Sequence, residues 1–166
     1  MKQQKIYIAG FDVFKKDSLD IGKEYQNLCS KYGFIGLYPL DNQVDFVQEK
    51  QKIASDIFHA NRTMIHQCDI VIANMNTFRG KEADSGTIWE CGYASALGKK
   101  VYGYMDDTSA YVEKFRSDEK EILDGISYDK NGMAIEDFNH PINLMIACSS
   151  KIFQGKFEDV LKEIKE

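Results

Sequence analysis

The sequence predicts an α/β domain in which helices cover both faces of a parallel sheet. Segments with the apolar, β-branched composition of buried strands alternate along the chain with segments of helical periodicity. This alternation implies right-handed crossovers between parallel strands, and therefore a doubly wound sheet. The chain has 166 residues, and neither a repeat nor a low-complexity tract nor a linker interrupts it. We therefore expect one domain, spanning residues 1–166.

Four strands and three intervening helices account for the chain up to Tyr104. The strands are expected at residues 5–9, 34–38, 69–75 and 100–104. The helices are expected at residues 18–32, 45–67 and 84–97, which carry apolar side chains at helical spacing or end at a glycine. Beyond them we expect a polar excursion over residues 106–139, with a short helix near residues 111–116. Two helices, near residues 141–151 and 156–165, are expected to close the chain.

Composition excludes several classes of function. The net charge of -5 and the pI near 5.3 argue against a nucleic-acid-binding surface, because phosphate contacts need clustered Lys and Arg. The four cysteines lack CxxC pairing and zinc-site spacing, so we expect reduced thiols and no metal. No apolar run could span a bilayer, and the N-terminus lacks the apolar region of a signal peptide. We expect a soluble, cytoplasmic protein without membrane partners.

Candidate chemistry lies in the segment from Asp84 to Ala94. Asp84 suits a helix N-cap, and Glu90 lies one turn beyond Gly86 and Thr87, so its side chain can face the same opening. Ligands of doubly wound folds bind at the carboxyl ends of the strands, where this helix begins. Two convergent carboxylates can perform acid-base or nucleophilic chemistry. The alternative is an N-cap aspartate followed by a solvated glutamate.

Four blocks of sequence, at residues 5–14, 39–43, 84–93 and 141–145, together resemble the nucleoside 2-deoxyribosyltransferase family. The resemblance implies a flavodoxin-like fold and exchange of the base on a 2′-deoxynucleoside. It implies double displacement through a covalent deoxyribosyl-enzyme intermediate, with free nucleobases as the other substrates and no cofactor. In this scheme Glu90 is the nucleophile, Tyr7 orients its carboxylate, and Asp84 holds sugar hydroxyls.

The resemblance also implies substrate contacts outside this catalytic group. Gln43 matches a side chain that contacts the base, whereas Asn143 and Met145 match residues that reach into the site of a neighbouring subunit. We therefore expect a homo-oligomer based on a dimer, and the sequence leaves open whether it extends to a hexamer. Other substrate-binding candidates from the same blocks and rim are Gly10, Phe11, Asp12, Phe14, Asn61 and Gly86.

Asn61 departs from the pattern of some well-known members of the family, which carry an aspartate proposed to protonate the leaving base, and resembles that of a distinct branch. An amide does not titrate, so Asn61 can position a base without acting as its general acid. The proton would then come from Asp12, from water or from the acceptor base, and the sequence leaves these three sources open.

Two other functions fit the same residues. Related hydrolases cleave 2′-deoxynucleoside 5′-monophosphates, and here Lys15, Lys16, Arg79 and Lys81 could supply charge for the phosphate. The run from Asn143 to Met145 resembles the transferases instead, so we favour transfer. A nucleotide-sensing domain without catalysis is a third interpretation, because a fold does not determine a function.

Overall fold

The computed structural model describes residues 3–42 and 44–165, and its centre is a five-stranded parallel sheet. In chain order the strands are β1 (Lys5–Ala9), β2 (Ile35–Leu37), β3 (Ile70–Asn74), β4 (Lys100–Met105), β5 (Lys120–Leu123), β6 (Ile126–Asp129) and β7 (Lys151–Gln154). The large sheet has the order β2-β1-β3-β4-β7, and all of its pairings are parallel. This is the flavodoxin-like order, in which the chain turns from one side of β1 to the other.

Helices cover both faces of this sheet. They are α1 (Ser18–Lys31), α2 (Lys50–Gln67), α3 (Ser85–Ala96), α4 (Leu144–Ser149) and α5 (Phe157–Lys165). Helices α1 and α5 pack with Ile6 and Ile8 in one core, while α2, α3 and α4 pack with Tyr7 and Ala9 in the other. Successive residues of β1 therefore serve opposite faces, as the strand pleat requires. The predicted doubly wound sheet is confirmed.

The register of the central strands determines what meets at their carboxyl ends. Tyr7 of β1 lies beside Val71 of β3, and Asn74 at the end of β3 lies beside Tyr104 of β4. All five residues of β3 are buried, which fits the apolar sequence of its first four residues, and the polar Asn74 ends the strand. The loop after β1 and the start of α3 consequently lie at the same edge of the sheet.

The structure differs from the predicted elements in three places. The helix expected from residue 45 begins only at Lys50. The helix expected over residues 141–151 is the shorter α4, and the residues after it form β7, a half-buried edge strand beside β4. The polar excursion contains the antiparallel hairpin β5–β6, whose turn places Asp124 at φ 52° and Gly125 at φ 82°. Positive φ at both turn positions is the geometry that an Asp-Gly pair favours in a tight hairpin.

Within the part of the chain that the structure describes, none of the helices is both long enough and apolar enough to cross a membrane.

Candidate active site

A cavity of about 450 Å³ opens at the carboxyl ends of β1 and β2, between the start of α3 and the side of α2. Most of its wall is apolar. Six of the residues predicted for the site line it, namely Gly10, Phe14, Asn61, Asp84, Gly86 and Glu90. Gln43, which the resemblance assigns to the base, lies outside the described residues.

Glu90 is held in this cavity by two donors from other elements. The Tyr7 hydroxyl donates to Glu90 Oε1 at 2.6 Å, although the two residues are 83 positions apart in the chain. The Asn61 amide donates to the same oxygen at a longer 3.4 Å. Among the described residues, no group donates to Glu90 Oε2. One carboxylate oxygen is therefore anchored, and the other remains available to a ligand.

Burial changes the acid-base behaviour of this pair. It raises the pKa of Glu90 to about 7 from the ordinary 4.5, and the negative charge of Asp84 adds to the rise, while the Tyr7 hydrogen bond opposes it. Burial and the neighbouring carboxylate also raise the pKa of Tyr7 far above its usual value. Tyr7 thus remains a protonated donor while Glu90 ionises close to neutral pH. A carboxylate of this kind is poised for proton transfer or nucleophilic attack.

Asp84 caps α3 and faces the cavity at the same time. Its Oδ2 accepts hydrogen bonds from the backbone nitrogen and the hydroxyl of Thr87, both at 2.9 Å. The N-cap predicted from sequence is therefore observed. Among the described residues nothing donates to Asp84 Oδ1, so this oxygen is free for a polar ligand.

Asn42 is a lining residue that the sequence reasoning did not single out. Its Nδ2 donates to the Pro39 carbonyl at 2.8 Å and to Asn61 Oδ1 at 2.9 Å. It belongs to the block at residues 39–43, so the sequence marked its neighbourhood, but no local pattern distinguished it from Asp41 or Gln43.

The loop after β1 forms a second wall. Gly10 lines the cavity where a Cβ atom would lie 2.9 Å from the Cβ of Asn74, so the chain has no room for a larger residue there. Phe14 lines the cavity and stacks on Phe78 with ring centroids 5.5 Å apart. Phe11 also stacks on Phe78, at 5.1 Å, and does not line the cavity. Of these two phenylalanines, Phe14 is therefore the one that a ligand in the cavity can reach, and Phe46 lines the cavity as well.

Asp12, one of the substrate-binding candidates from the sequence, is not among the residues that line the cavity. Its side chain is buried behind the cavity wall, where Oδ2 accepts from Asn74 Nδ2 at 2.8 Å and Oδ1 lies 2.6 Å from Lys15 Nζ. The short helical turn of residues 11–14 directs this side chain inward. In this geometry Asp12 holds the loop to β3, and its contact with a substrate stays a prediction.

Asn143 and Met145 lie away from the Glu90 cavity of their own chain. Asn143 caps α4 by accepting from the Met145 nitrogen at 3.0 Å, and it donates to Glu136 at 2.6 Å. Met145 is 72% exposed and borders a separate cavity of about 360 Å³ between α3 and α4. Their predicted role in a neighbouring subunit therefore stays a prediction.

Among the described residues, no cluster of three or more His, Cys, Asp or Glu side chains could hold a metal ion. The polar chemistry of the cavity comes from two carboxylates, two amides, a threonine hydroxyl and one phenol behind the wall. Fold and site together define a flavodoxin-like α/β protein with a buried carboxylate in a mostly apolar pocket for a small molecule.

The chain belongs to the nucleoside 2-deoxyribosyltransferase family, whose family model matches residues 6–145. A 2-desoxiribosyltransferase from Leishmania mexicana has a similar structure, with a TM-score of 0.75, 33% sequence identity, and coverage of 98% of this chain and 97% of that one. The family predicted from the four sequence blocks is confirmed.

Two further comparisons extend this picture. A 2-deoxyribosyltransferase from Bacillus psychrosaccharolyticus shares the fold at a TM-score of 0.59 and 22% identity, over 95% of this chain and 90% of that one. An uncharacterized protein of Schizosaccharomyces pombe is 31% identical over 119 residues, which are 70% of this chain. The matched segment spans only 56% of that curated relative.

Proposed function

We propose that this protein exchanges the bases of 2′-deoxynucleosides by double displacement, with Glu90 as the nucleophile. Family membership supports an enzyme that acts on nucleosides. The observation that carries the more specific proposal is the state of the Glu90 carboxylate, which is buried in a small-molecule cavity, anchored through Oε1 by Tyr7, and open at Oε2.

The first displacement begins with attack of Glu90 Oε2 on C1′ of the sugar. The C1′–N bond breaks, the base leaves with the bonding electrons and takes up a proton, and a deoxyribosyl ester forms on Glu90. In the second displacement a nitrogen of the acceptor base attacks C1′, loses its proton, and releases the carboxylate. Negative charge fixed beside C1′ stabilises the oxocarbenium character of both transition states, and two inversions restore the original configuration.

Proton transfer to the leaving base does not need a second carboxyl group in this scheme. Asn61 donates hydrogen bonds without titrating, and Asp12 is engaged by Asn74 and Lys15 behind the wall. The acceptor base loses one proton for each proton that the leaving base gains. We therefore propose that solvent carries this proton between the bases, while the Asn61 amide stays hydrogen-bonded to Glu90.

The lining of the cavity favours transfer over hydrolysis. Much of its wall is formed by large apolar side chains, including Val13, Phe14, Leu19, Leu40, Phe46 and Ile57. A planar base that fills this apolar space displaces water from the intermediate, so the ester survives until an acceptor arrives. Phe14 offers a ring face on which such a base can stack.

The charges of the cavity favour nucleosides over nucleoside monophosphates. None of its described lining residues is a Lys or an Arg, whereas Asp84 and Glu90 both carry carboxylates. Three of the cations that could serve a phosphate have other partners: Lys15 pairs with Asp12, Lys81 pairs with Glu119, and the Arg79 guanidinium lies 4.6 Å from the centre of the Phe78 ring. A 5′-phosphate would therefore meet repulsion without a compensating ion pair.

A second copy of this chain is proposed to complete the site. Met145 is largely exposed and Asn143 lies beside it, and neither reaches the Glu90 cavity of its own chain. The cavity mouth carries further exposed apolar side chains, including Leu19 and Phe46, which a neighbouring subunit could cover. The oligomeric state is measurable by analytical ultracentrifugation of the wild type and of Met145→Asp.

Chromatography of a mixture of deoxyadenosine and cytosine tests the reaction by following deoxycytidine and free adenine. We expect exchange in the wild type and in Glu121→Gln, an exposed glutamate of the hairpin, and none in Glu90→Ala. A 2-fluoro-2-deoxyarabinosyl nucleoside should leave a sugar adduct on Glu90 that mass spectrometry detects. Activity only on 5′-monophosphates would overturn transfer in favour of hydrolysis, and binding without turnover would indicate a sensing domain.

A further inference from the structure

Two asparagines in the cavity wall form a hydrogen-bonded chain that ends on the Glu90 carboxylate. Asn42 Nδ2 donates to the Pro39 carbonyl at 2.8 Å and to Asn61 Oδ1 at 2.9 Å. Asn61 Nδ2 then donates to Glu90 Oε1 at 3.4 Å. The chain therefore runs from the loop after β2, across α2, to the carboxylate on α3.

The groups at the two ends of this hydrogen-bonded chain only accept hydrogen bonds. A backbone carbonyl and an ionised carboxylate have no hydrogen to donate, so each amide must turn its nitrogen toward its own end of the chain. Turning the Asn42 amide round would set its oxygen against the Pro39 carbonyl oxygen. The orientation of both amides thus follows from their partners, although the nitrogen and oxygen of an amide have nearly the same shape.

We propose that Asn42 is a positioning residue, which holds the Asn61 amide with its nitrogen toward Glu90. The importance of this contact for catalysis rests on the proposed function. Without Asn42, Asn61 Oδ1 loses its donor, and the amide is free to turn this oxygen toward the carboxylate. An oxygen facing Glu90 disfavours its ionised form, whereas a nitrogen facing it favours that form.

Asn42 can affect Glu90 in this way only through Asn61. The other titratable groups that face Glu90 are Tyr7 on β1, Asp84 at the start of α3 and Cys91 on α3 itself. Among the hydrogen bonds of the described residues, none joins Asn42 to any of these three. The hydrogen bond from Asn61 lowers the pKa of Glu90, so loss of the correct amide orientation is expected to raise it.

A double-mutant cycle tests the proposal with a measurement that does not need turnover. The variants are Asn42→Ala, Asn61→Ala and the double substitution, and Asn131→Ala in the exposed turn after β6 is the matched control. The titration of the Glu90 side-chain carboxyl is followed by NMR in protein labelled with ¹³C-glutamate, and the resonance is assigned by its loss in Glu90→Gln. The pH dependence of base exchange is measured on the same variants.

We expect both single variants to move the Glu90 titration to higher pH, and the double variant to match Asn61→Ala alone. A move of about half a pH unit lowers exchange at pH 6 roughly threefold relative to the wild type. The proposal is overturned if Asn42→Ala titrates like the wild type, or if the two effects add, because additive effects mean that Asn42 acts independently of Asn61. Absence of exchange in the wild type would reject the proposed function, while the NMR cycle would still decide the role of Asn42.

Discussion

Replacement of Tyr7 by phenylalanine removes one hydroxyl and with it the shorter of the two hydrogen bonds to Glu90, the proposed nucleophile. The bond from Tyr7 to Glu90 Oε1 measures 2.6 Å, a length typical of a hydroxyl that donates to an ionised carboxylate. Hydrogen bonds to charged groups contribute about 1.5–3 kcal/mol. Because this bond favours the ionised form of Glu90, its loss should move the acid limb of the pH-rate profile upward by about one to two pH units.

The activity loss should depend on pH. In the wild type the pKa of Glu90 is raised to about 7, so exchange should increase as the pH passes through neutrality. At pH 6 the Tyr7→Phe variant should be roughly ten- to one-hundred-fold slower, and the deficit should shrink above the displaced limb. The assay is kcat/KM for exchange between deoxyadenosine and cytosine, measured by chromatography from pH 5 to pH 10.

Tyr104→Phe provides the matched control. Tyr104 is also a buried tyrosine of the central sheet, but it lies in the opposite core, where its hydroxyl is 3.3 Å from that of Tyr25. This variant should keep the wild-type acid limb. If Tyr7→Phe also keeps the wild-type acid limb, or if its kcat/KM falls by the same factor at every pH, then Tyr7 does not control the ionisation of Glu90 and the reasoning fails.

Three other substitutions test separate features of the site. Above pH 7 the free energy of unfolding of Glu90→Gln should exceed that of the wild type by about 3 kcal/mol. The pKa of Glu90 is about 7 in the folded protein and the ordinary 4.5 in the unfolded chain, so the wild type loses stability as the pH rises from 4.5 to 7. Urea titrations of both proteins at pH 4.5 and pH 8 measure the free energies of unfolding. The same difference between variant and wild type at the two pH values would contradict the prediction. Asp84→Asn should keep the α3 cap but remove a charge that raises the pKa of Glu90, so its acid limb should move to lower pH, opposite to Tyr7→Phe. Gly10→Ala should raise KM and lower the melting temperature because its Cβ would meet Asn74 at 2.9 Å, and unchanged values of both would show that the loop can move.

The elements that could be predicted from sequence are those whose local pattern agrees with their surroundings. β3 is an uninterrupted apolar run because helices cover both of its faces, and α3 begins and ends at residues suited to those positions. β7 was missed since it has only four residues, two of them half-buried, and it follows directly after a helix. The hairpin has a recognisable turn signal at Asp124-Gly125, but the polar sequence around it is typical of an irregular loop.

The candidate site could be predicted only in part, because some of its residues are brought together by the folded chain and not by local sequence. Helical spacing and the cap placed Asp84 and Glu90 at one opening, because both belong to a single short segment. Asn42 could not be recognised, since it lies in a loop, its partner Asn61 lies 19 residues away on α2, and only the folded chain brings them together. The direction of the Asp12 side chain could not be predicted, because a short turn decides whether it points into the cavity or behind the wall.

The residues that carry the proposed reaction lie in a different part of the chain from the β5–β6 hairpin. Every described side chain that donates a hydrogen bond to the side chain of Glu90 or Asn61 precedes Cys91 in the chain. The two strands of the hairpin at residues 120–129 pair with each other, and among the described residues they have one further bridge, from Tyr128 to Ala134. Lengthening the Asp124-Gly125 turn should therefore leave turnover intact, which makes this tip a suitable attachment point for a tag or a tether.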